Sequence, residues 1–68
     1  MKEVRIFTDY IKLDQFLKFI NVADTGGQAK LLIKSGNIKV NGEIVTERGK
    51  KIRKNDIIEV DGTLYKVI

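Results

Sequence analysis

Lys12-Leu13-Asp14-Gln15-Phe16-Leu17, then Thr25-Gly26-Gly27-Gln28-Ala29-Lys30-Leu31-Leu32-Ile33-Lys34-Ser35-Gly36, then Ile38-Lys39-Val40-Asn41-Gly42, and last Ile52-Arg53-Lys54-Asn55-Asp56-Ile57-Ile58-Glu59-Val60 decide the fold between Lys12 and Gly62. Leu13, Phe16, Leu17 and Ile20 recur at i, i+3, i+4 and i+7, which predicts a helix over about Leu13 to Ile20, with Asp14 at the positive end of its dipole. Thr25 followed by Gln28 has the Thr-x-x-Gln spacing of a capping box. It opens a second helix that runs to Lys34, with Ala29, Leu32 and Ile33 inward and Ser35-Gly36 as its stop. Asn41-Gly42 between Ile38-Lys39-Val40 and Glu43-Ile44-Val45 is a strong hairpin signal, and Asp61-Gly62 between Ile57–Val60 and Thr63–Ile68 is a second. The reading is an α+β fold, an αα-hairpin followed by a small antiparallel β-sheet, in a single domain over residues 1–68 with its core motif at about 12–62.

Outside that stretch, Val4-Arg5-Ile6-Phe7 alternates as a short strand or extended arm, and Thr8 to Lys12 leads into the first helix. Phe19 is expected to flank the core. A chain of 68 residues hides only roughly 60% of the surface its unfolded form exposes, which leaves little room for an enclosed active site. It has no Cys and no His, so disulfides and thiolate zinc sites are excluded, and the usual general acid/base is missing. No signal peptide or membrane-spanning run is legible, and a cytoplasmic location is the expectation. The acids form no paired-carboxylate spacing, and no nucleophile has a base beside it. The expectation is therefore a protein that is not an enzyme, with no cofactor and no metal.

The formal net charge is +4, and its placement matters more than its size. Arg48, Lys50, Lys51, Arg53 and Lys54 surround a single apolar residue, Ile52, which can anchor the segment while the cations face water. Such a segment suits sugar–phosphate contacts, although a solvated loop has the same composition. Lys30 and Lys34 share one exposed helix face, a pattern that also serves solubility. Gly26 and Gly27 sit in the first turn, where Thr25 and Gln28 already supply the cap. Either bare N–H groups there admit a phosphate, or the backbone needs close packing or positive φ. Tyr10 and Tyr65 are candidates for base stacking or for partial burial with the hydroxyl at the surface.

Taken together, these residues resemble the RNA-binding domain of the ribosomal protein S4 type. The family usually reads Arg-Leu-Asp-Lys-Phe-Leu where this chain has Lys12–Leu17. At the second helix, Thr25 and Gly26 stand for its Ser-Arg, and Ala29-Lys30 and Leu32-Ile33 match. The Val-Asn-Gly turn is Val40-Asn41-Gly42, and the Lys-Pro-Gly-Asp-x-Ile-x-Val ending is echoed by Lys54–Val60, one residue shorter before the Asp. Gly26 and Leu31 replace residues that are often basic in the family. The Gly-Gly-x-Ala-Lys variant is similar to small stand-alone members, the YaaA-like type.

The resemblance implies binding of structured RNA, ribosomal RNA or a ribosome-assembly precursor in particular. By residue-by-residue carry-over it places the surface on Lys12, Gln15, Thr25, Gly26, Gly27, Gln28, Lys30, Lys34, Asn41, Arg48, Lys50 and Lys51. It also implies a bacterial-type monomer, with ribosome-associated proteins as further partners and no membrane. The alternatives are an adaptor that keeps the fold without RNA, using Phe19 and Leu31 as an apolar patch, and an accessory that delivers RNA to a partner enzyme.

Overall fold

The computed structural model describes all 68 residues. In chain order the elements are β1 (Lys2–Val4), β2 (Ile11–Lys12), α1 (Leu13–Phe19), α2 (Gly26–Lys34), β3 (Ile38–Val40), β4 (Glu43–Ile44), β5 (Lys51–Ile52), β6 (Ile57–Val60) and β7 (Thr63–Val67). Five strands form one sheet in the order β1-β7-β6-β3-β4, and β2 and β5 form a separate two-stranded ribbon. The pairings β3–β4, β3–β6 and β6–β7 are antiparallel, as the two hairpin signals require. Asn41 and Gly42 take φ 53° and 85°, and Asp61 and Gly62 take 49° and 79°, so both turns have the two positive φ values of a type I′ hairpin.

The helices are bounded as their end signals predict. Thr25 Oγ1 accepts the Gln28 N–H at 3.1 Å, and Gly36 takes φ 81° just past the Ser35 cap. α1 ends at Phe19, with Ile20 as its cap. The two helices and the sheet share one core. Leu13, Phe16 and Leu17 from α1, Ala29 and Ile33 from α2, and Ile38, Val40, Ile58, Val60 and Val67 from the sheet are all buried. Leu32 is only half-buried at its margin. Phe16 meets Tyr65 edge-to-face, ring centroids 6.3 Å apart at 80°, which joins α1 to β7.

The sheet differs in detail from the sequence reading. The N-terminal strand is Lys2–Val4, not Val4–Phe7, and it runs parallel to β7 with Val4 opposite Val67, giving the antiparallel sheet one parallel edge. Ile6 is still held, by donation of its N–H to Ile68 O at 3.0 Å, but Phe7 has left the sheet and is 89% exposed. Val45 falls outside β4 and only donates its N–H to Ile38 O. Both sheet edges are thus two or three residues long, which limits pairing with other chains.

Candidate nucleic-acid interface

β2 and β5 are only two residues each, yet they place the basic arm. Ile11 is opposite Ile52, and Lys12 is opposite Lys51. The contact continues into the helix: Leu13 donates its N–H to Lys50 O at 2.8 Å, and Asp14 donates to Arg48 O at 3.1 Å. The first N–H groups of a helix lack intrahelical partners. α1 has no side-chain cap at Lys12, so backbone carbonyls of the arm take that role. Ile52 is fully buried and anchors the ribbon, while Arg48, Lys50, Lys51 and Arg53 are exposed around it.

Side chains alternate across a strand, so the ribbon has two distinct faces. Ile11 and Ile52 turn to the core. Lys12 and Lys51 turn outward together, and one step further along the register Tyr10 and Arg53 fall on that same face. Lys51 Nζ lies 4.9 Å from the Tyr10 ring centroid, and the Arg53 guanidinium carbon lies 5.7 Å from it. Like charges directly opposite one another oppose pairing. The outer face of the main sheet does the reverse, matching Lys39 with Glu59 and Glu3 with Lys66. The ribbon is therefore where cations are placed together, not balanced.

The α2 start is a second patch. The Gln28 side chain accepts the Asp24 N–H at 2.7 Å, one residue earlier than a standard capping box, and Ala29 donates to Thr25 O. That leaves the N–H groups of Gly26 and Gly27 directed out of the helix end. A Cβ at Gly26 would meet nothing within 4 Å, and one at Gly27 would meet only Thr25 Oγ1 at 3.8 Å; neither glycine has positive φ. Neither close packing nor a positive φ accounts for this pair. Lys30 and Lys34 are exposed one turn apart on the face that also carries Gly27 and Leu31, the latter 72% exposed.

The expected site residues thus fall into two groups. Lys12, Arg48, Lys50 and Lys51 come together at the start of α1, with Gln15 exposed one turn on. Thr25, Gly26, Gly27 and Gln28 sit beyond the other end of α1, whose seven residues span about 10 Å. Asn41 serves the fold. Its N–H donates to Ile57 O at 2.7 Å, its Oδ1 accepts the Ile57 N–H at 2.9 Å, and its Nδ2 donates to Asp56 Oδ1 at 3.1 Å. Asp56 Oδ2 in turn accepts the Arg53 N–H at 2.8 Å, so the Asn41–Asp56 pair fixes the end of the ribbon. Asn55 takes φ 79°, the conformation suited to the glycine that the resembled ending carries before its Asp.

Tyr10, a stacking candidate by residue type, and Arg53, one of the cations of the basic segment, complete the ribbon face; the family resemblance carried over neither, and their meeting on one face was not expected. The signal was the facing patterns Tyr10-Ile11-Lys12 and Lys51-Ile52-Arg53, each with a single apolar residue at its centre. Phe19 does not flank the core as expected: it is 60% exposed. With Arg5, Ile6, Phe7, Thr8 and Ile11 it lines a shallow apolar groove of about 210 Å³.

Comparison with known proteins places this arrangement. Residues 4–68 match the family model described as the S4 domain. A probable ribosome maturation protein of Bacillus subtilis, RlbA, is 37% identical over 59 residues, which are 87% of this chain and 83% of that one. The ribosomal large subunit pseudouridine synthase B of the same organism is 54% identical over 35 residues, which are 52% of this chain but only 14% of the enzyme. Among solved structures, YbcJ of E. coli, described as having a motif involved in RNA-binding, superposes with TM-score 0.74 at 26% identity, covering all of this chain and 87% of YbcJ. The 30S ribosomal protein S4e of Thermoplasma acidophilum shares the fold, with TM-score 0.68 at 23% identity over 91% of this chain and 33% of that one. With a family model spanning nearly the whole chain and a relative of similar length over a third identical, the protein belongs to the S4 domain family.

Proposed function

We propose that this protein binds structured RNA, ribosomal RNA or a ribosome-assembly precursor, and acts in the cytoplasm as a monomeric binding module with no chemistry of its own. The observation that carries this reading is the β2–β5 ribbon. Pairing Lys12 with Lys51 works against the fold, and a phosphate backbone gives that arrangement a use. A-form RNA is recognised largely by shape and backbone. Lys12, Arg48, Lys50 and Lys51 supply one line of phosphate contacts, and Gly26, Gly27, Lys30 and Lys34 supply the second. Thr25, Gln28 and Asn41 mainly hold these elements in place. The RNA-binding description of YbcJ and the ribosome maturation name of RlbA support the choice of RNA and of a ribosomal target.

The test is sedimentation of cell extract on a density gradient at low and moderate salt, with and without ribonuclease. Co-migration with ribosomal particles that both ribonuclease and salt abolish is expected. Migration as a free small protein under every condition removes the ribosomal assignment. A second reading, delivery of RNA to a partner enzyme, is favoured by the similarity to short segments of two pseudouridine synthases, of which this chain covers 14% and 22%. It predicts an enzyme partner that stays bound after ribonuclease treatment. The adaptor reading rests on the exposed Phe19 and Leu31. Binding through these apolar contacts would persist at high salt, whereas phosphate binding falls steeply.

A further inference from the structure

We propose that Tyr10 is a stacking platform for one unpaired nucleobase, with Lys51 and Arg53 holding the phosphates that flank it. This rests on the RNA-binding reading and narrows its ligand: the RNA is a stem with an adjacent loop or bulge, not an uninterrupted duplex. The argument starts from the two tyrosines. Tyr65 is half-buried against Phe16 and belongs to the core. Tyr10 is 38% exposed on the cationic face of the ribbon. Its backbone is fixed from both sides, because its carbonyl accepts the Thr8 hydroxyl at 2.7 Å and the next residue enters the β ladder, and its ring rests against the Lys51 and Arg53 side chains. An aromatic side chain held in place before binding loses little freedom when a ligand lands on it.

The surroundings choose the ligand. Lys51 Nζ and the Arg53 guanidinium carbon lie over the ring, 4.9 and 5.7 Å from its centroid, and Lys12 shares their face. An arriving base therefore takes the ring face from one of these exposed side chains, whose charge then meets the adjoining phosphate. An exposed aromatic among cations matches a group that is flat and aromatic in one part and anionic in the next, which describes a nucleotide. In a continuous duplex every base is stacked inside, and only phosphates and sugars reach such a ribbon, so the ring would go unused. An unpaired base offers a face to it, and aromatic stacking of splayed bases is a general means of recognising RNA outside helices.

The experiment measures affinity for three RNA probes: a hairpin with an unpaired loop, the same stem as a blunt duplex, and the hairpin with abasic loop positions. The proteins are wild type, Tyr10→Ala and Tyr10→Phe, with circular dichroism to confirm folding. Tyr10→Ala should bind the hairpin roughly 5- to 140-fold more weakly, the range for removing one stacked base. It should bind the duplex as wild type does, and Tyr10→Phe should behave as wild type throughout. The abasic hairpin should erase the difference between wild type and Tyr10→Ala. A parallel measurement uses Tyr65→Phe, which leaves Tyr10 as the only tyrosine in a chain without Trp. Its tyrosine emission should be quenched by the looped hairpin and not by the duplex. Equal losses on hairpin and duplex, or no loss on either, overturn the platform while leaving RNA binding intact. Failure of wild type to bind any probe overturns the RNA reading and the platform together.

Discussion

Lys12→Glu should make this protein more stable and a poorer RNA binder at once. Lys12 is the N-cap of α1 and stands directly opposite Lys51. Replacing it with an acid turns a repulsive cross-strand pair into an attractive one, worth about 0.2–1 kcal/mol. It also puts negative charge at the positive end of the helix dipole, worth about 0.3–1 kcal/mol. Both groups are exposed, so solvent screening favours the lower half of each range, and the sum is about 0.5–1 kcal/mol at low salt. In a domain of this size that raises Tm by about 2–8 °C. Lys12→Gln removes the repulsion without the dipole gain and should recover roughly half. The assay is thermal melting at low and high salt, beside RNA affinity as a function of salt. The stabilisation should shrink as salt rises, and the slope of log affinity against log salt should become shallower by about one. A destabilised variant, or one that is stabilised and binds RNA with unchanged affinity and slope, would refute the claim that Lys12 is held against Lys51 for phosphate contact.

Three other outcomes follow from the same geometry. Lys30→Glu with Lys34→Glu should weaken RNA binding severalfold or more while circular dichroism stays native; unchanged affinity would move the surface off α2. Gly26→Ala should stabilise the fold by up to about 0.5 kcal/mol, because the added methyl meets nothing, and should lower RNA affinity if phosphate approaches the bare helix end; a denaturant titration and the binding assay read the two effects separately. Asn41→Ala should cost about 1–3 kcal/mol, because it removes the side-chain bonds to the Ile57 N–H and Asp56 Oδ1 and puts an alanine at φ 53°, and unfolding midpoints unchanged from wild type would contradict that role.

The features legible in the sequence were those specified by neighbouring residues. The Thr25–Gln28 cap, the Gly36 stop and the Asn41-Gly42 and Asp61-Gly62 turns each depend on a few consecutive positions, and each stands where it was read. The pairings that escaped are long-range and short. β1 lies beside β7 after a crossover of most of the chain, so a displacement of its bounds by two and three residues had no local signal to correct it. β2 and β5 contain two residues each, too few for any periodicity, yet they decide which cations meet. The role of Asn41 was half legible. Its turn follows from residue type, but its side-chain bonds to residues 15 and 16 positions away follow only from the packed hairpins.

The capping of α1 by the arm has a consequence for motion. A seven-residue helix is marginal by itself, and this one closes its first turn on carbonyls that arrive more than thirty residues later in the chain. Whatever steadies Arg48 and Lys50 therefore steadies Leu13 and Asp14. A ligand gripping the arm should slow hydrogen exchange at those two amides by the mass-action factor of its binding, even though neither amide touches it. These two hydrogen bonds tie the basic loop to the first helix, so occupancy of the outer surface should be readable from two backbone protons beneath it.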